Sequence, residues 1–230
     1  MSLFGRSKKK SGLPDFEAQR RRMCRRDLEG RDIDDPRVLH GMGQVKREAF
    51  LPREKRGLAY EDHAVPIGHR QTISQPYIVA LSIQMAAPQV TDRALDVGCG
   101  SGYAAAVLSH LVSRVTSIEI VSELAVAAKA RLKSLGYDTI EVIESDASFG
   151  YADGAPYDVI ISAAAPKVIP PELIAQLAPG GRLVIPVGDW SQRLIRVTKK
   201  LDGSIERHEG ARVTFVPLTG ALWTPPGDGG

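Results

Sequence analysis

Short apolar runs alternate with helical patterns through the central part of the chain. Five runs rich in Val, Ile, Leu and Ala have the length and composition of buried strands. They span residues 93–97, 114–120, 140–143, 157–162 and 182–187. Helical patterns lie between several of them, over residues 104–111, 122–136 and 171–177. Strand–helix alternation of this kind predicts an α/β fold with a doubly wound, mostly parallel sheet.

The flanking segments predict further elements. Pro14, the Asp35-Pro36 pair and Pro76 are helix start signals, so helices are expected over residues 13–30, 35–42 and 76–87. The polar, turn-forming stretch 57–75 predicts a connecting loop, in the place where a lid or substrate loop lies. Residues 193–198 and 211–218, on either side of the turn Asp202-Gly203, predict antiparallel C-terminal strands.

Smaller signals set the expected boundaries within the alternating region. Ser122 is expected to cap the helix that follows the second strand. The sequence Ala178-Pro179-Gly180-Gly181 is expected to form the turn before the fifth strand. The chain then divides into a flexible basic tail (1–13), an N-terminal helical subdomain with the substrate loop (14–90), a ligand-binding domain (91–224) and a C-terminal tail (225–230).

Charge is concentrated at one end of the chain. The formal net charge is +3, yet residues 1–26 hold nine basic against two acidic residues, which leaves a net −4 for the rest. This basic arm suits nucleic acid or acidic partners, but an ordinary solvated helix face and tail explains it more simply. We find no apolar stretch of membrane-spanning length and no zinc-like Cys/His spacing, so neither a membrane span nor a metal site is predicted. Two distant cysteines favour a reducing, cytoplasmic location.

The stretch A-L-D-V-G-C-G-S-G-Y, residues 94–103, carries the strongest chemical signal. Gly98, Gly100 and Gly102 follow a predicted strand and precede a predicted helix, so the backbone there can turn sharply and approach a ligand closely. A dinucleotide fingerprint reads G-x-G-x-x-G, whereas the spacing here is G-x-G-x-G. The different spacing disfavours an NAD-dependent dehydrogenase.

Three acidic residues indicate which ligand the glycine-rich turn binds. Asp96 precedes the first glycine, and a carboxylate there suits a cationic ligand better than a phosphate. S-adenosylmethionine carries an ammonium and a sulfonium and has no phosphate. Glu119 ends the second strand, as an acceptor for ribose hydroxyls, and Asp146 follows the third, as an acceptor for the adenine amino group. Each residue alone is equally well explained as a helix cap or surface residue, but the three in register favour S-adenosylmethionine.

Several blocks resemble the protein-L-isoaspartate O-methyltransferases. They are D-H-A-V-P-I-G-H-R-Q-T-I-S-Q-P-Y at residues 62–77, the glycine-rich block at 95–107, residues 155–187 with A-A-A-P and L-A-P-G-G-R, and F-V-P-L at 215–218. The resemblance implies a Rossmann-like class I S-adenosylmethionine-dependent methyltransferase with an N-terminal helical extension. It implies methyl transfer to the free carboxylate of L-isoaspartyl residues in damaged proteins, with isoaspartyl proteins and peptides as partners.

The resemblance also assigns roles to individual residues. Ser74 matches the active-site serine of the family. The other residues implied to bind the cofactor, besides the three glycines and three acids, are Ile73, Ile120 and Ala147. The residues implied to contact the substrate are Thr72, Ala164, Pro166 and Val216, with Leu218 beside them. Arg70 lies outside this match and has two possible effects: it blocks the usual path of the peptide, or, as we hypothesise, its positive charge helps to attract the acceptor carboxylate.

Two departures from the family pattern keep alternatives open. His69-Arg70 stands before T-I-S, and Ser145-Asp146-Ala147 replaces the usual G-D-G. The alternatives are a methyltransferase acting on another acceptor, such as RNA recruited by the basic arm or a small molecule, and a non-catalytic adaptor that binds S-adenosylmethionine. His63 and His69 are expected to be solvent-facing loop residues. The sequence leaves the oligomeric state open.

Overall fold

A computed structural model describes residues 14–221 of the chain, so the expected tails at 1–13 and 225–230 lie outside the described residues. Helix α1 (Phe16–Met23) continues as a π-helical turn (Cys24–Glu29), and α2 (Pro36–Gln44) follows. Asp15 and Asp35 cap these helices, accepting hydrogen bonds from the Ala18 and Arg37 amides. The predicted helix starts are therefore confirmed.

Two short 3₁₀ helices, Arg47–Phe50 and Arg53–Leu58, connect α2 to a β-hairpin that the sequence analysis missed. Strands β1 (Val65–Gly68) and β2 (Gln71–Ile73) pair antiparallel, with Gly68 opposite Gln71. His69 and Arg70 form the two-residue turn and have positive φ angles of 50° and 57°. Hairpin turns of this kind usually contain Asn-Gly or Asp-Gly, so the sequence lacked the expected signal. Helix α3 (Pro76–Ala86) follows directly.

Within residues 14–221 the main sheet has seven strands in the order β5-β4-β3-β6-β7-β8-β9, of which β8 (Gln192–Lys199) and β9 (Ile205–Val213) are the last two. Its parallel strands are β3 (Arg93–Val97), β4 (Arg114–Glu119), β5 (Ile140–Glu144), β6 (Tyr157–Ser162) and β7 (Leu177–Val187). The helices among them are α4 (Tyr103–Leu108), α5 (Ser122–Ser134) and α6 (Pro171–Ala175). The mostly parallel α/β architecture is confirmed, with a switch point at β3 because the chain runs to β4 on one side and returns to β6 on the other.

Alternate residues of the central strands pack into two different layers. Ala94 and Val159 belong to a core shared with α3, α4 and the N-terminal helices, whereas Leu95 and Ile160 belong to the core on the opposite face. Because side chains alternate along a strand, Asp96 faces the layer that contains α3 and α4. In residues 14–221, no helix is long and apolar enough to cross a membrane.

Three smaller expectations within the alternating region were wrong. Ser122 does not cap α5; Val121 occupies the cap position, and the Ser122 hydroxyl donates to Glu144 at 2.9 Å. The Pro-Gly-Gly sequence is not a turn before a strand, since it lies inside β7 as an irregularity between the pairs Tyr157–Leu177 and Val159–Arg182. Helices α4 and α6 end earlier than expected, at Leu108 and Ala175.

The C-terminal strands are antiparallel, as expected, but the last one was misplaced. Strand β8 (Gln192–Lys199) pairs with β7 and with β9 (Ile205–Val213), so the last strand overlaps the predicted residues 211–218 only over 211–213. The edge strand β9 is mostly exposed and polar, so it lacks the apolar signal of a strand. The apolar run after it leaves the strand, and its Pro217 forms an isolated parallel bridge with Ala165.

Candidate active site

The glycine-rich turn lies between β3 and α4 at the switch point. Gly98, Gly100 and Gly102 have φ angles of 90°, 53° and 87°, a backbone conformation that side chains rarely tolerate. The amides of Gly98 and Cys99 both donate to the carbonyl of Ile118 at 2.9 Å, which ties the turn to the end of β4. The turn is therefore held by backbone hydrogen bonds to its neighbouring strand.

Glu119 is buried beside this turn and binds its backbone. One carboxylate oxygen accepts from the Gly100 amide at 2.7 Å and the other from the Val121 amide at 3.0 Å. The carboxylate thus bridges the ends of β3 and β4 and keeps a further lone pair on each oxygen. Ile120, the next residue, is 39% exposed at this edge, so its side chain is available to pack against a flat ring.

Asp96 is the most perturbed acid of the site. It is 1% exposed, and one oxygen accepts from the Ser117 hydroxyl at 2.6 Å while Oδ1 has no hydrogen-bond partner within residues 14–221. Burial raises the pKa of Asp96 to about 7; nearby Glu119 also raises the pKa, while the Ser117 hydrogen bond lowers it. A buried, unpartnered carboxylate oxygen fits a ligand that brings a positive charge.

Asp146 was expected to bind adenine, but in the structure both of its carboxylate oxygens accept hydrogen bonds from the chain itself. Its Oδ1 accepts from the amide and hydroxyl of Ser148, at 2.9 and 2.7 Å, and its Oδ2 accepts from the Ala221 amide at 2.7 Å. Burial is the largest single effect and raises the pKa of Asp146, but the hydrogen bonds from Ala221 and Ser148 together outweigh it and hold the pKa below its usual value. Asp146 caps a short 3₁₀ helix and anchors the end of the described chain, and its role toward adenine stays a prediction.

Ser74 connects a cavity to a cleft. The cavity is lined by Ser74, Asp96 and the residues at the end of β6, together with Ile78 of α3 and Phe215. The open cleft, about 490 Å³, is lined by Ser74, Thr72, Ile78, Phe215, Val216 and the rim residues Asp62, His63 and Arg212. Ser74 is not the cap of α3, since Gln75 occupies that position. A ligand in the cavity and a ligand in the cleft would therefore meet at Ser74.

Several predicted substrate residues lie elsewhere. Arg70 is exposed at the tip of the hairpin and lines neither the cavity nor the cleft. Ala164 is buried, and it is Ala163 that lines the cavity. Pro166 is also buried, and its carbonyl accepts from the Gly188 amide at 3.0 Å. Substrate roles for Arg70, Ala164 and Pro166 stay predictions.

Leu218 lies in the core, whereas Val216 lines the cleft. Leu218 is buried and its amide donates to the carbonyl of Ala165 at 2.9 Å. The Val216 carbonyl accepts from the Ala165 amide at 2.8 Å, so this edge of its backbone is already paired. Among the cofactor residues, Ile73 and Ala147 are buried in the core.

The sequence analysis missed Phe215, Ile78, Arg212 and the rim position of His63. Phe215 lies within the F-V-P-L block, which was noted as a family feature but not as part of the site. Arg212 sits in an exposed edge strand, where a lone arginine gives no sequence signal. The His63 imidazole contacts the Ala64 carbonyl and Glu61, both at 2.9 Å, and these contacts raise its pKa.

The fold and site define a Rossmann-like methyltransferase of the S-adenosylmethionine-dependent class. The family model for protein-L-isoaspartate(D-aspartate) O-methyltransferase matches residues 18–222. The chain therefore belongs to the protein-L-isoaspartate(D-aspartate) O-methyltransferase family, which confirms the resemblance seen in the sequence.

Similar proteins share most of their length with this chain. Protein-L-isoaspartate O-methyltransferase 2 of Pelobacter propionicus is 50% identical over 211 residues, which cover 91% of this chain and 94% of that protein. Protein-L-isoaspartate O-methyltransferase 1 of Rhodopseudomonas palustris is 48% identical over 89% of this chain and 84% of that protein. A Plasmodium falciparum structure, described as a protein-L-isoaspartate O-methyltransferase in complex with S-adenosyl-L-homocysteine, superposes with a TM-score of 0.75 at 27% identity, covering 90% of this chain and 99% of that chain.

Proposed function

We propose that this protein transfers a methyl group from S-adenosylmethionine to the free α-carboxylate of L-isoaspartyl residues in damaged proteins. The observation that carries the proposal is the position of Ser74, which lines both the cavity with Asp96 and the open cleft. Two residues that line the cavity, Asp96 and Ala104, flank the glycine-rich turn, where a cofactor of the family would bind. The cleft is open to solvent and suits an extended segment of polypeptide.

The residues around the ends of β3 and β4 fit the cofactor. The unpartnered Oδ1 of Asp96 would accept from its ammonium group, and Glu119 would accept from the ribose hydroxyls while keeping its two backbone hydrogen bonds. The three glycines leave the turn free of side chains. When bound, S-adenosylmethionine supplies a methyl group on a positively charged sulfur. Ile120 and the backbone atoms near Ile73 and Ala147 complete the proposed set.

The acceptor needs orientation more than acid–base chemistry. A carboxylate is already ionised at neutral pH, so the site needs no general base to generate the nucleophile. The Ser74 hydroxyl would donate to one oxygen of this carboxylate, which leaves the other directed toward the cavity. Ile78 and Phe215 line both spaces and would exclude water between the reacting groups. The backbone amide nitrogen then attacks the carbonyl of the methyl ester and expels methanol, which gives a succinimide whose hydrolysis can give normal aspartate.

The expected domain division and the expected cytoplasmic location form part of the same proposal. Its domain division assigns residues 14–90 to the N-terminal subdomain and acceptor loop and residues 91–224 to the methyltransferase domain. A cytoplasmic location is supported by the two free thiols, Cys24 and Cys99. For the RNA alternative, we note that Arg20 contacts Tyr60 and that Arg21 and Arg26 are paired with Glu17 and Asp27, so no observation favours it.

The test is incubation with methyl-labelled S-adenosylmethionine and a matched pair of peptides that differ only in an isoaspartyl or aspartyl linkage. Base-labile label on the isoaspartyl peptide alone is the expected result. Ser74→Ala should lower kcat/KM about 10-fold or more, because one hydrogen bond to a charged group is worth about 1.5–3 kcal/mol, while the affinity for S-adenosylhomocysteine is unchanged. Equal labelling of both peptides, or of neither despite bound cofactor, would overturn the proposal.

A further inference from the structure

Arg47 is a buried cation directly behind Ser74. It lies in the first 3₁₀ helix and is 0% exposed. Its Nε donates to the Ala59 carbonyl at 2.7 Å and its Nη2 donates to the Ser74 carbonyl at 2.8 Å. The guanidinium carbon lies 4.7 Å from the ring centre of Tyr103, the first residue of α4. One side chain therefore touches the acceptor segment and the helix that begins at the glycine-rich turn.

Arg47 forms no ion pair within residues 14–221, and its Nη1 has no hydrogen-bond partner there. Isolated buried charges are costly, and buried arginines are normally paired with carboxylates. The chain provides a contrast in Arg182, which donates to the carbonyls of Ala86 and Ala87 and also pairs with Asp92 at 2.7 Å. The Arg47 guanidinium is solvated only in part, by the carbonyls of Ala59 and Ser74 and by the ring of Tyr103.

The charges around the site explain why an unpaired cation is favourable at Arg47. The buried charged residues within 14–221 are Asp27, Arg47, Asp92, Asp96 and Glu119, of which Arg47 is the only cation. Asp96 lines the same cavity as Ser74, and Glu119 binds the turn beside it. An acceptor carboxylate that enters the cleft would bring a further negative charge to this region. A cation behind Ser74 offsets that repulsion, strongly because it is withdrawn from water.

We infer that Arg47 is a positioning residue for methyl transfer: it fixes the Ser74 backbone and supplies the buried positive charge that favours an anionic acceptor. This inference rests on the proposed function, since it needs a carboxylate acceptor at Ser74. Arg47 acts through Ser74 and does not line the cleft itself. Its effect is therefore expected on the acceptor and not on the cofactor.

The test compares Arg47→Met with Arg182→Met. Both changes remove a guanidinium that donates to two carbonyls, but Arg182 lies near the start of β3, at the opposite end of the sheet strands. We expect Arg47→Met to raise KM for the isoaspartyl peptide at least 10-fold, with Kd for S-adenosylhomocysteine within 2-fold of wild type. Arg182→Met should lower Tm and leave both constants within 2-fold.

A second measurement isolates the charge. An isoaspartyl peptide whose α-carboxylate is replaced by a carboxamide is used as a competitive inhibitor. Wild type should bind the carboxylate peptide at least 5-fold more tightly than the amide, and Arg47→Met should lose this preference, which a purely structural role would not change. Arg47→Lys should restore part of it. If Arg47→Met does not fold, Arg47→Lys must still raise the peptide KM at least 3-fold.

The outcomes separate this inference from the proposed function. Absence of wild-type turnover on the isoaspartyl peptide would overturn both. Wild-type turnover with an unchanged peptide KM in the Arg47 variants would overturn the inference alone. So would an equal weakening of peptide and S-adenosylhomocysteine binding, since this would show that Arg47 only supports the fold.

Discussion

The backbone of the glycine-rich turn is hydrogen-bonded to the neighbouring strand of the sheet, whereas the Ser74 carbonyl is held by a side chain from outside the sheet. The turn between β3 and α4 is fixed by backbone hydrogen bonds to β4, by Glu119 at the end of that strand, and by Arg131, which donates to the Ser101 carbonyl at 2.9 Å. Ser74 is fixed by the side chain of Arg47, 27 residues earlier. Phe215, on the far side of the cleft, is fixed by the side chain of Gln192, 23 residues earlier.

This difference matches what each side has to bind. The cofactor has the same shape in every turnover, and a turn built from the fold itself can hold it. The acceptor is a polypeptide whose neighbouring residues vary, and irregular segments held by individual side chains can adapt around it. A single substitution on the acceptor side should therefore alter peptide binding while the cofactor site remains intact.

The largest expected effect is on the cofactor side, at Asp96. Asp96→Asn should weaken S-adenosylmethionine binding about 10–100-fold, because a hydrogen bond to a charged group contributes about 1.5–3 kcal/mol. The pKa of about 7 also predicts that wild-type affinity falls about tenfold between pH 8 and pH 6, as Asp96 becomes protonated in the free protein. Calorimetric titration with the cofactor at both pH values tests this.

The control for Asp96 is the stability of the ligand-free protein. The ordinary pKa of Asp96 is 3.8 and its pKa in the folded protein is about 7, so between these pH values the folded protein holds a proton that the unfolded chain releases. Asp96 therefore contributes stability that is fully present below about pH 3.8 and is lost as the pH rises to about 7. Asp96→Asn should lack this contribution to the pH dependence and should be no less stable at pH 8. A pH-independent affinity in wild type would contradict the assignment.

The next effect compares two glycines with similar φ angles. Gly102 has a φ of 87°, and a Cβ there would lie 3.1 Å from Leu132; Gly203, in the β8–β9 turn, has a φ of 84° and nothing within 4 Å. Gly203→Ala should lower the free energy of unfolding by about 1–2 kcal/mol from backbone strain. Gly102→Ala should lower it by about 2–4 kcal/mol because Leu132 must also move. Urea denaturation measures both; equal losses would show that Leu132 yields freely.

The cofactor side could be predicted from the sequence, and the acceptor side only in part. Residues 93–97 and 157–162 were assigned with the bounds that the structure gives to β3 and β6, because buried parallel strands are almost entirely apolar. The proposed roles of Asp96 and Glu119 follow from their positions at the ends of such strands. These signals are local, so a single sequence contains them.

The acceptor side depends on contacts that no local pattern records. The β1–β2 hairpin was missed because His69 and Arg70 occupy turn positions that normally favour glycine or asparagine. The run around Phe215 was taken for a strand because it is apolar, although its apolar residues face the cavity, the cleft and the core. The pairs Arg47–Ser74 and Gln192–Phe215 join residues 27 and 23 positions apart through side chain–backbone hydrogen bonds, which sequence spacing does not reveal.

A smaller effect on peptide binding is expected at Gln192, which holds Phe215 on the far side of the cleft. Gln192 accepts from the Phe215 amide at 2.6 Å and donates to its carbonyl at 3.1 Å. Gln192→Ala removes both hydrogen bonds, each worth about 0.5–1.5 kcal/mol, and should raise KM for the isoaspartyl peptide about 3–10-fold with unchanged cofactor affinity. The control is Gln89→Ala, because Gln89 is exposed and its side chain donates only to the Ala87 carbonyl. Loss of cofactor affinity in Gln192→Ala would show that the two sides are not separable.

The smallest effect distinguishes two exposed arginines. Arg212 lines the cleft, whereas Arg70 lies at the hairpin tip and lines neither space. Exposed charges contribute about 0.2–1 kcal/mol, so Arg212→Gln should raise the peptide KM about 1.5–5-fold at low ionic strength. Arg70→Gln should leave it unchanged. Added salt should reduce the Arg212 effect, since exposed charges are screened. If Arg70→Gln raised the peptide KM more than Arg212→Gln, the acceptor would instead enter at the hairpin. The hairpin would then be a third part of the site, beside the rigid cofactor side and the adaptable cleft.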